Sequence, residues 1–161
     1  MPDRPVVSNT TPLITLAGVG LLDLLPQLYG QIWIAEVVHR EYQAGQTARE
    51  PDLDTLPWLI VRPVAVEPVL VALLDEGEAA TITLATAQRA RVVVLDEARG
   101  RRVAQRRGLA TIGTLGVLLR AKQAGLIEAL APVIDAMVAQ GRYIGPALSD
   151  QVLREAGEHT E

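Results

Sequence analysis

The chain contains no cysteine and no phenylalanine, and its 161 residues include only two histidines and one lysine. The absence of cysteine excludes disulfides and thiolate zinc sites and fits a reducing cytosol. His39 and His159 have no evident nucleophile partner, and a histidine-based metal centre is not expected. Any bound metal should therefore be held by oxygen, which favours Mg²⁺ or Mn²⁺. Aromatic residues make up 3% of the chain, which argues against a base-stacking platform.

The chain also lacks an excess of positive charge and a long apolar run. Its net charge of −4 argues against binding nucleic acid through bulk positive charge, but it does not exclude a local strip of basic residues. The most apolar stretch, residues 12–28, is interrupted by glycines, Asp23 and Pro26. A membrane span needs roughly 20 mostly apolar residues, and the first residues do not resemble a signal peptide. We therefore expect a cytoplasmic protein that does not enter a membrane.

Short apolar strands alternate with helices along the whole chain. Hydrophobic residues make up 49% of it, so we expect one domain over residues 1–161, with a tail that is frayed. This alternation predicts a parallel sheet covered by helices on both faces. Strands are predicted at residues 5–8, 31–34, 58–64, 91–95 and 109–112. Helices are predicted at residues 11–17, 20–28, 35–44, 75–89, 97–107, 114–123, 126–139 and about 147–157, with a surface loop at 46–57.

Two polar residues directly follow predicted strands. Asn9 follows the first strand and Asp96 follows the apolar run at 92–95, which places both at the sheet edge where open α/β folds bind ligands. Each also has a structural interpretation, Asn9 as a turn residue bonding its own backbone and Asp96 as a helix N-cap. Glu97 is a weaker candidate, because its charge also complements a helix dipole.

Two glutamates lie on faces of helices that are otherwise apolar. Glu41 shares its face with Val37 and Val38, and Glu78 lies on the inward side of the helix that it opens. The structural alternatives are an ion pair between Glu41 and an arginine, and a capping box from Asp75 to Glu78. Carboxylates about 4 Å apart repel by about 4 kcal/mol at an effective dielectric of 20. A cleft that gathers them therefore indicates a divalent cation, and we predict Glu41, Glu78 and Asp96 as its ligands.

The basic residues are almost all arginine, with five of them between positions 99 and 107. Arg99, Arg102 and Arg106 recur at intervals of three and four residues, so they form one helical stripe that begins beside Asp96. The functional interpretation is a track for a phosphodiester backbone, and the structural one is a solvated helix face. We expect Arg99, Arg102 and Thr10 to bind the substrate. Glycine-rich loops typical of nucleotide-binding proteins are absent.

Four segments together resemble PIN-domain proteins. They are residues 6–14, the helix start Gly77-Glu78-Ala79-Ala80, residues 92–97 with the arginine-rich helix, and residues 108–125. The likeness extends over residues 6–157 and is greatest to a little-characterised bacterial and archaeal branch related to VapC toxins. Each motif is short, but their order and spacing together are fairly specific.

The resemblance implies a doubly wound three-layer α/β/α sandwich with a small central parallel sheet. It implies an acidic cluster that binds Mg²⁺ or Mn²⁺ and cuts single-stranded RNA. It also implies a homodimer and an antitoxin protein whose segment blocks the cleft. The four acidic positions, which are the predicted catalytic residues, fall on Asn9, Glu41, Glu78 and Asp96.

Asn9 stands where PIN proteins usually have aspartate. An amide oxygen can still bind Mg²⁺, but it carries no charge and cannot act as a base, so we expect weaker metal binding and reduced activity. The first hypothesis is therefore a metal-dependent endoribonuclease that Asn9 attenuates. The alternative is a catalytically inactive PIN fold that binds RNA or a protein, and a third is a generic nucleotide- or phosphate-binding protein.

Overall fold

Five short parallel strands form the centre of the fold. The computed structural model describes residues 4–158, so the prediction about His159 lies outside the described residues. The sheet order is β3-β2-β1-β4-β5, and every neighbouring pair is parallel. The strands are β1 (Val6–Ser8), β2 (Ile32–Ala35), β3 (Leu59–Arg62), β4 (Val92–Val94) and β5 (Thr111–Ile112).

Helices flank this sheet, which confirms the predicted α/β PIN-like sandwich. The helices of the described residues are α1 (Thr10–Gly18), α2 (Leu24–Tyr29), α3 (Glu36–Gly45), α4 (Pro68–Leu73), α5 (Glu76–Gln88), α6 (Ala98–Arg106), α7 (Thr114–Gln123), α8 (Ala131–Ala139) and α9 (Pro146–Glu155). A 3₁₀ turn, Leu53–Thr55, interrupts the predicted surface loop. None of the helices within residues 4–158 combines the length and apolarity that a membrane span needs.

The core lies along β1, β4 and α5. The strands β1 and β4 are built of valines apart from Ser8, and their central side chains are fully buried. Helix α5 is buried continuously over residues 77–85, because it packs on β1, β2, α3 and α6. Its first turn therefore lies deep in the fold, close to the carboxyl end of β1.

Strand order reverses at β1, which places a crevice at the carboxyl edge of the sheet. The chain passes from β1 to β2 and β3 on one side, and β4 and β5 extend the sheet on the other side. Ligands of open α/β sheets bind outside the carboxyl ends of the strands at this switch point. Asn9 and Asp96 follow the two strands that flank it.

The structure corrects several predicted helix boundaries. The predicted helix over 20–28 is shortened to α2, and the one over 126–139 begins only at Ala131. Gly125, at φ 76°, ends α7. Glu158 then caps α8, because its carboxylate accepts hydrogen bonds from the backbone N–H groups of Leu130 (2.7 Å) and Ala131 (3.1 Å). Lys122 also donates to Glu158, at 3.1 Å.

The Glu158 cap fastens the end of the chain to the domain. Burial opposes ionisation of this carboxyl, but the hydrogen bonds from Leu130 and Ala131 and the contact with Lys122 outweigh burial and lower its pKa. The charged form is therefore favoured in the folded protein. This interaction holds α9 against α7 and α8, and α9 forms one wall of the groove described below.

Candidate active site at the carboxyl edge of the sheet

Asn9 joins the two central strands to helix α5. Its backbone N–H donates to the Val94 carbonyl at 3.0 Å, and its side chain is only 5% exposed. The Thr81 hydroxyl donates to Asn9 Oδ1 at 3.3 Å. The side chain makes no capping bond to α1, so the interpretation of Asn9 as a residue that bonds its own turn is wrong.

Glu41 reaches the same place from α3. Its Oε1 accepts a hydrogen bond from the Thr10 hydroxyl at 2.5 Å. Glu41 lies at the rim of the face predicted to include Val37 and Val38, because Val38 is fully buried and Val37 half-buried whereas Glu41 is exposed. Within residues 4–158 it forms no ion pair with an arginine. Its carboxylate is thus held by one hydroxyl and remains accessible.

Gly77 allows the Glu41 carboxylate to rest against α5. A Cβ atom at position 77 would lie 2.2 Å from Glu41 Oε1 and 3.0 Å from Oε2, so with any other residue there the Glu41 carboxylate would have to move. The Glu41 carboxylate therefore packs against Gly77, the residue that immediately precedes Glu78. The absence of a side chain at Gly77 is what leaves room for the Glu41 carboxylate beside the first turn of α5.

We expect Gly77→Ala to displace Glu41 from Thr10 while leaving the fold stable. The exposed Glu41 side chain can swing away, and alanine is favoured over glycine in a helix by up to about 1 kcal/mol. Chemical unfolding should therefore show equal or slightly greater stability, whereas any activity that depends on the Glu41 carboxylate should fall. Gly45→Ala is the matched control, since a Cβ there meets only Ile14 at an ordinary 3.7 Å. A fully active Gly77→Ala protein would remove Glu41 from the site.

Glu78 is a buried carboxyl among other carboxyls. It is 6% exposed, and burial, followed by the nearby carboxyl of Asp75 and the charge of Glu97, raises its pKa to about 7. Asp75 Oδ1 accepts a hydrogen bond from the Glu78 backbone N–H at 2.8 Å, so Asp75 caps α5 as the capping-box interpretation expects. In the described residues no arginine, lysine or hydroxyl donates to the Glu78 carboxylate.

The Glu78 carboxyl lines a cavity of about 450 Å³, here called the acidic pocket. Arg99 closes one side of it and donates through Nη1 to the Leu73 carbonyl at 3.2 Å. Glu97 faces this cavity, although the sequence marked it only as a weaker candidate. The lining residues are Ala72, Leu73, Leu74, Asp75, Glu78, Glu97 and Arg99.

Asp96 is held by the start of α7. Its Oδ1 accepts from the Thr114 backbone N–H and its Oδ2 from the Thr114 hydroxyl, both at 2.7 Å. The prediction that Asp96 caps the helix that directly follows it is therefore wrong. Gly113 makes room for this contact, because a Cβ there would lie 2.9 Å from Asp96 Oδ1.

Asp96 opens into a second cavity, here called the Asp96 groove, of about 620 Å³ between α1, α7 and α9. Arg101 lines this groove, whereas the predicted substrate residue Arg102 is exposed on α6 and lines neither cavity. Arg106 is exposed as well. The sequence did not single out Arg101, because the rotation of α6 about its axis depends on long-range packing. The Gly113-Thr114 pair directly after β5 is the signal that marks Thr114.

The predicted residues therefore meet at one edge but face two cavities. Asn9, Thr10, Glu41 and Glu78 surround the end of β1 and the first turns of α5, and Asp96 faces the adjoining groove. The donors are carboxylate and amide oxygens, which suit a hard divalent cation. In residues 4–158, however, no group of three acidic or histidine side chains is arranged to hold a metal ion. The donor chemistry fits such an ion, but the present arrangement leaves the carboxylates apart.

One comparison with known proteins identifies the family. The family model described as a PIN domain matches residues 5–158. No curated protein and no solved structure matches the chain. PIN domains are a nuclease-type fold and typically depend on divalent metal ions, in agreement with the oxygen donors at this edge. The chain belongs to the PIN-domain family.

Proposed function

We propose that this protein is a metal-dependent endoribonuclease that hydrolyses phosphodiester bonds of single-stranded RNA and is attenuated by Asn9. The observation that carries the proposal is Glu78, a buried carboxyl with a raised pKa at the switch point of a PIN fold. Buried carboxyls destabilise a protein unless they are paired or serve its chemistry. A cation near Glu78 would remove that cost.

The proposed roles rest on the chemistry of the side chains at this edge and on the contacts of Thr10 and Thr114. Glu41, Glu78 and Asp96 would hold Mg²⁺ or Mn²⁺, which when bound polarises the phosphoryl oxygen and lowers the pKa of an attacking water. Thr10 and Thr114 orient Glu41 and Asp96 through their hydroxyls.

The remaining side chains act on the substrate. Arg99, on the wall of the acidic pocket, steadies the scissile phosphate. Asn9 offers an amide oxygen that orients water or a ligand. In-line attack by water then releases the 3′ oxygen and leaves a 5′ phosphate and a 3′ hydroxyl. A homodimer and an antitoxin belong to the same proposal, and both rest on the family alone.

The second candidate is a PIN fold that binds RNA or protein without cutting. Two observations favour it, namely the neutral Asn9 at the end of β1 and the use of both Asp96 oxygens to anchor Thr114. In this candidate Asp96 is a structural cap of α7. The two candidates differ in whether replacing Asp96 changes chemistry or only stability.

The decisive test is cleavage of a mixed panel of single-stranded RNAs with Mn²⁺, Mg²⁺ or EDTA. Asp96→Asn is the preferred variant, because its amide oxygen can still accept from the Thr114 N–H, which preserves the start of α7. We expect cleavage with metal, none in EDTA, and a loss on the order of 100-fold or more in Asp96→Asn, as expected for a group that holds or orients a metal.

Asp135→Asn is the matched control, since Asp135 is exposed on α8 away from both cavities. It should cleave as the natural protein does. Thermal melting of both variants separates lost chemistry from lost structure. Full-rate cleavage by a folded Asp96→Asn protein would contradict the catalytic role of Asp96. No cleavage in any condition would favour the PIN fold that binds without cutting.

A further inference from the structure

The Asp96 groove extends well beyond Asp96 itself. It continues along α7 to the segment between α8 and α9, and its volume of about 620 Å³ lies within the range of sites that enclose small ligands. Its inner wall is apolar, formed by Leu115, Leu119, Met137 and Ile144. A flat, partly apolar group such as a nucleobase fits a wall of this kind.

Two arginines line the groove without carboxylate partners. Among the described residues the ion pairs are those of His39, Arg107 and Lys122. Arg101 and Arg142 are half-buried, and neither forms an ion pair or donates a side-chain hydrogen bond within residues 4–158. Arg101 Nη1 and Asp96 Oδ1 both adjoin Gly113, so Arg101 lies near a carboxylate without forming an ion pair with it. A half-buried guanidinium without an ion pair suits an anion, and its planar fork matches phosphate.

Arg142 also connects the groove to a neighbouring cavity. This neighbouring cavity, which is distinct from the Asp96 groove and the acidic pocket, has a volume of about 700 Å³ and is lined by Arg49, Gln140 and Arg142 among others. The two cavities therefore share one lining arginine. The carboxylates of Asp96 and Glu155 also line the groove, so binding has to come from local phosphate contacts and stacking rather than from net charge.

Tyr143 stands at the rim of the groove with 89% of its surface exposed. An aromatic side chain left almost wholly in water contributes little to the stability of the fold. The chain contains few aromatic residues, so an exposed one indicates a contact with a partner molecule. Gly141, at φ 91°, permits the turn that carries the ring outward. A ring in this position offers a free face on which a single base can stack, so the low aromatic content argues only against a platform of several rings.

We infer that the Asp96 groove binds the nucleotides beside the scissile bond of a single-stranded RNA. One base lies on the apolar wall between α7 and α9, and the next base stacks on Tyr143. Arg101 and Arg142 contact the intervening phosphates. The inference rests on the proposed function in that it takes RNA as the substrate. The carboxylates of an acidic peptide would also pair with the two guanidiniums, but only a nucleic acid supplies both phosphates for the arginines and a flat base for the free face of Tyr143, so RNA is the favoured occupant.

The test is binding of a short fluorescent single-stranded RNA in EDTA, where no cleavage is required. Anisotropy titrations at several salt concentrations would compare the natural protein with Tyr143→Ala, Tyr143→Phe, Arg142→Gln and Arg154→Gln. We expect Tyr143→Ala to weaken binding about 5- to 150-fold, the range of one base–aromatic stack, and Tyr143→Phe to bind normally. Arg142→Gln should lower the salt slope by about 0.7, as one lost phosphate contact does for a single strand.

Arg154→Gln is the charge-matched control, because Arg154 is exposed on α9 and does not line the groove. A separate readout comes from Tyr143→Trp, whose fluorescence should be quenched by a stacked base. Normal affinity and salt dependence in Tyr143→Ala and Arg142→Gln, or no RNA binding by the natural protein, would overturn the inference.

The two proposals fail separately in these experiments. In one outcome, Asp96→Asn abolishes metal-dependent cleavage but the groove variants bind RNA normally. This would support the nuclease and overturn the base-binding groove. Groove-dependent RNA binding by a protein that never cuts would support the groove and overturn the nuclease. Tight capture of a peptide in the groove, with no RNA binding, would overturn the choice of occupant.

Discussion

Replacing Glu78 by glutamine is expected to stabilise the protein at pH 8 and to abolish metal-dependent cleavage of RNA. Glu78 is 6% exposed, and burial with the neighbouring Asp75 and Glu97 raises its pKa to about 7. Ionised Glu78 therefore destabilises the folded protein above that pH. Glutamine is nearly isosteric and carries no charge, so it removes the penalty together with the proposed metal ligand.

The pH dependence of this effect has a definite sign. The Glu78 pKa rises from 4.5 to about 7 on folding. Between these values the native state binds more protons than the unfolded state, so the free energy of unfolding falls as pH rises through this window. At about 1.4 kcal/mol per pKa unit, the loss reaches at most about 3.5 kcal/mol by pH 8. Because Glu78 shares its titration with Asp75, this change belongs to the pair.

Urea unfolding of Glu78→Gln and the natural protein between pH 4 and pH 8 measures this difference. The two should be about equally stable at pH 4 and diverge as the pH rises. Glu76→Gln is the matched control, since Glu76 lies in the same helical turn but is exposed. A stability gain together with lost cleavage would be the trade-off typical of a functional site. A Glu78→Gln protein that is less stable at pH 8 would contradict the burial argument.

The strands and their ends follow from local sequence. Buried parallel strands are continuous apolar runs, as in Val92–Val94, and the residue after such a run must lie at the carboxyl edge of the sheet. This is why the positions of Asn9 and Asp96 could be predicted. Connection rules for parallel strands then limit the topology to a few arrangements.

Side-chain directions and helix rotations could not be predicted in the same way. Asp96 turns toward Thr114, eighteen residues later, because Gly113 leaves space for it. Arg101 rather than Arg102 lines the groove, since the packing of Gly100 and Ala104 on the core fixes the rotation of α6. Such choices depend on contacts that are distant in the sequence.

Helix α4 was missed for a different reason. Residues 69–74 are a continuous apolar run with no period of its own, yet Val69, Val71 and Leu73 are exposed while Leu70 and Leu74 are buried one turn apart. Six residues are too few for the helical period to stand out from the alternating one. The packing of Leu70 and Leu74 decides the conformation, and it places Leu73 beside the acidic pocket.

Asn9→Asp should lower stability without metal and increase metal affinity. An aspartate could still accept the Thr81 hydroxyl, but its charge would be buried on the side of α5 that also carries Glu78, three residues before Thr81. A buried charge without a partner destabilises by on the order of 3 kcal/mol. Bound Mn²⁺ would offset this loss, because ligand at 100 times its dissociation constant stabilises by about 2.7 kcal/mol.

Thermal unfolding with and without Mn²⁺, together with calorimetric titration, measures both effects. We expect the melting temperature of Asn9→Asp to be lower in EDTA and to rise more steeply with Mn²⁺ than that of the natural protein. Gln27→Glu adds the same charge at an exposed site on α2 and should change neither quantity. Equal Mn²⁺ responses in all three proteins would mean that the end of β1 takes no part in metal binding.

Cleavage by Asn9→Asp then separates the two candidate functions. The variant supplies the aspartate that the resemblance to PIN proteins predicts at position 9, while Glu41, Glu78 and Asp96 are unchanged. Higher activity with tighter Mn²⁺ binding would mean that the natural protein is an attenuated nuclease limited by charge at position 9. Tight Mn²⁺ binding without cleavage would mean that the other carboxylates are not placed for hydrolysis. The separation of Asp96 from Glu78 into two cavities would then be the reason, and the fold would serve binding.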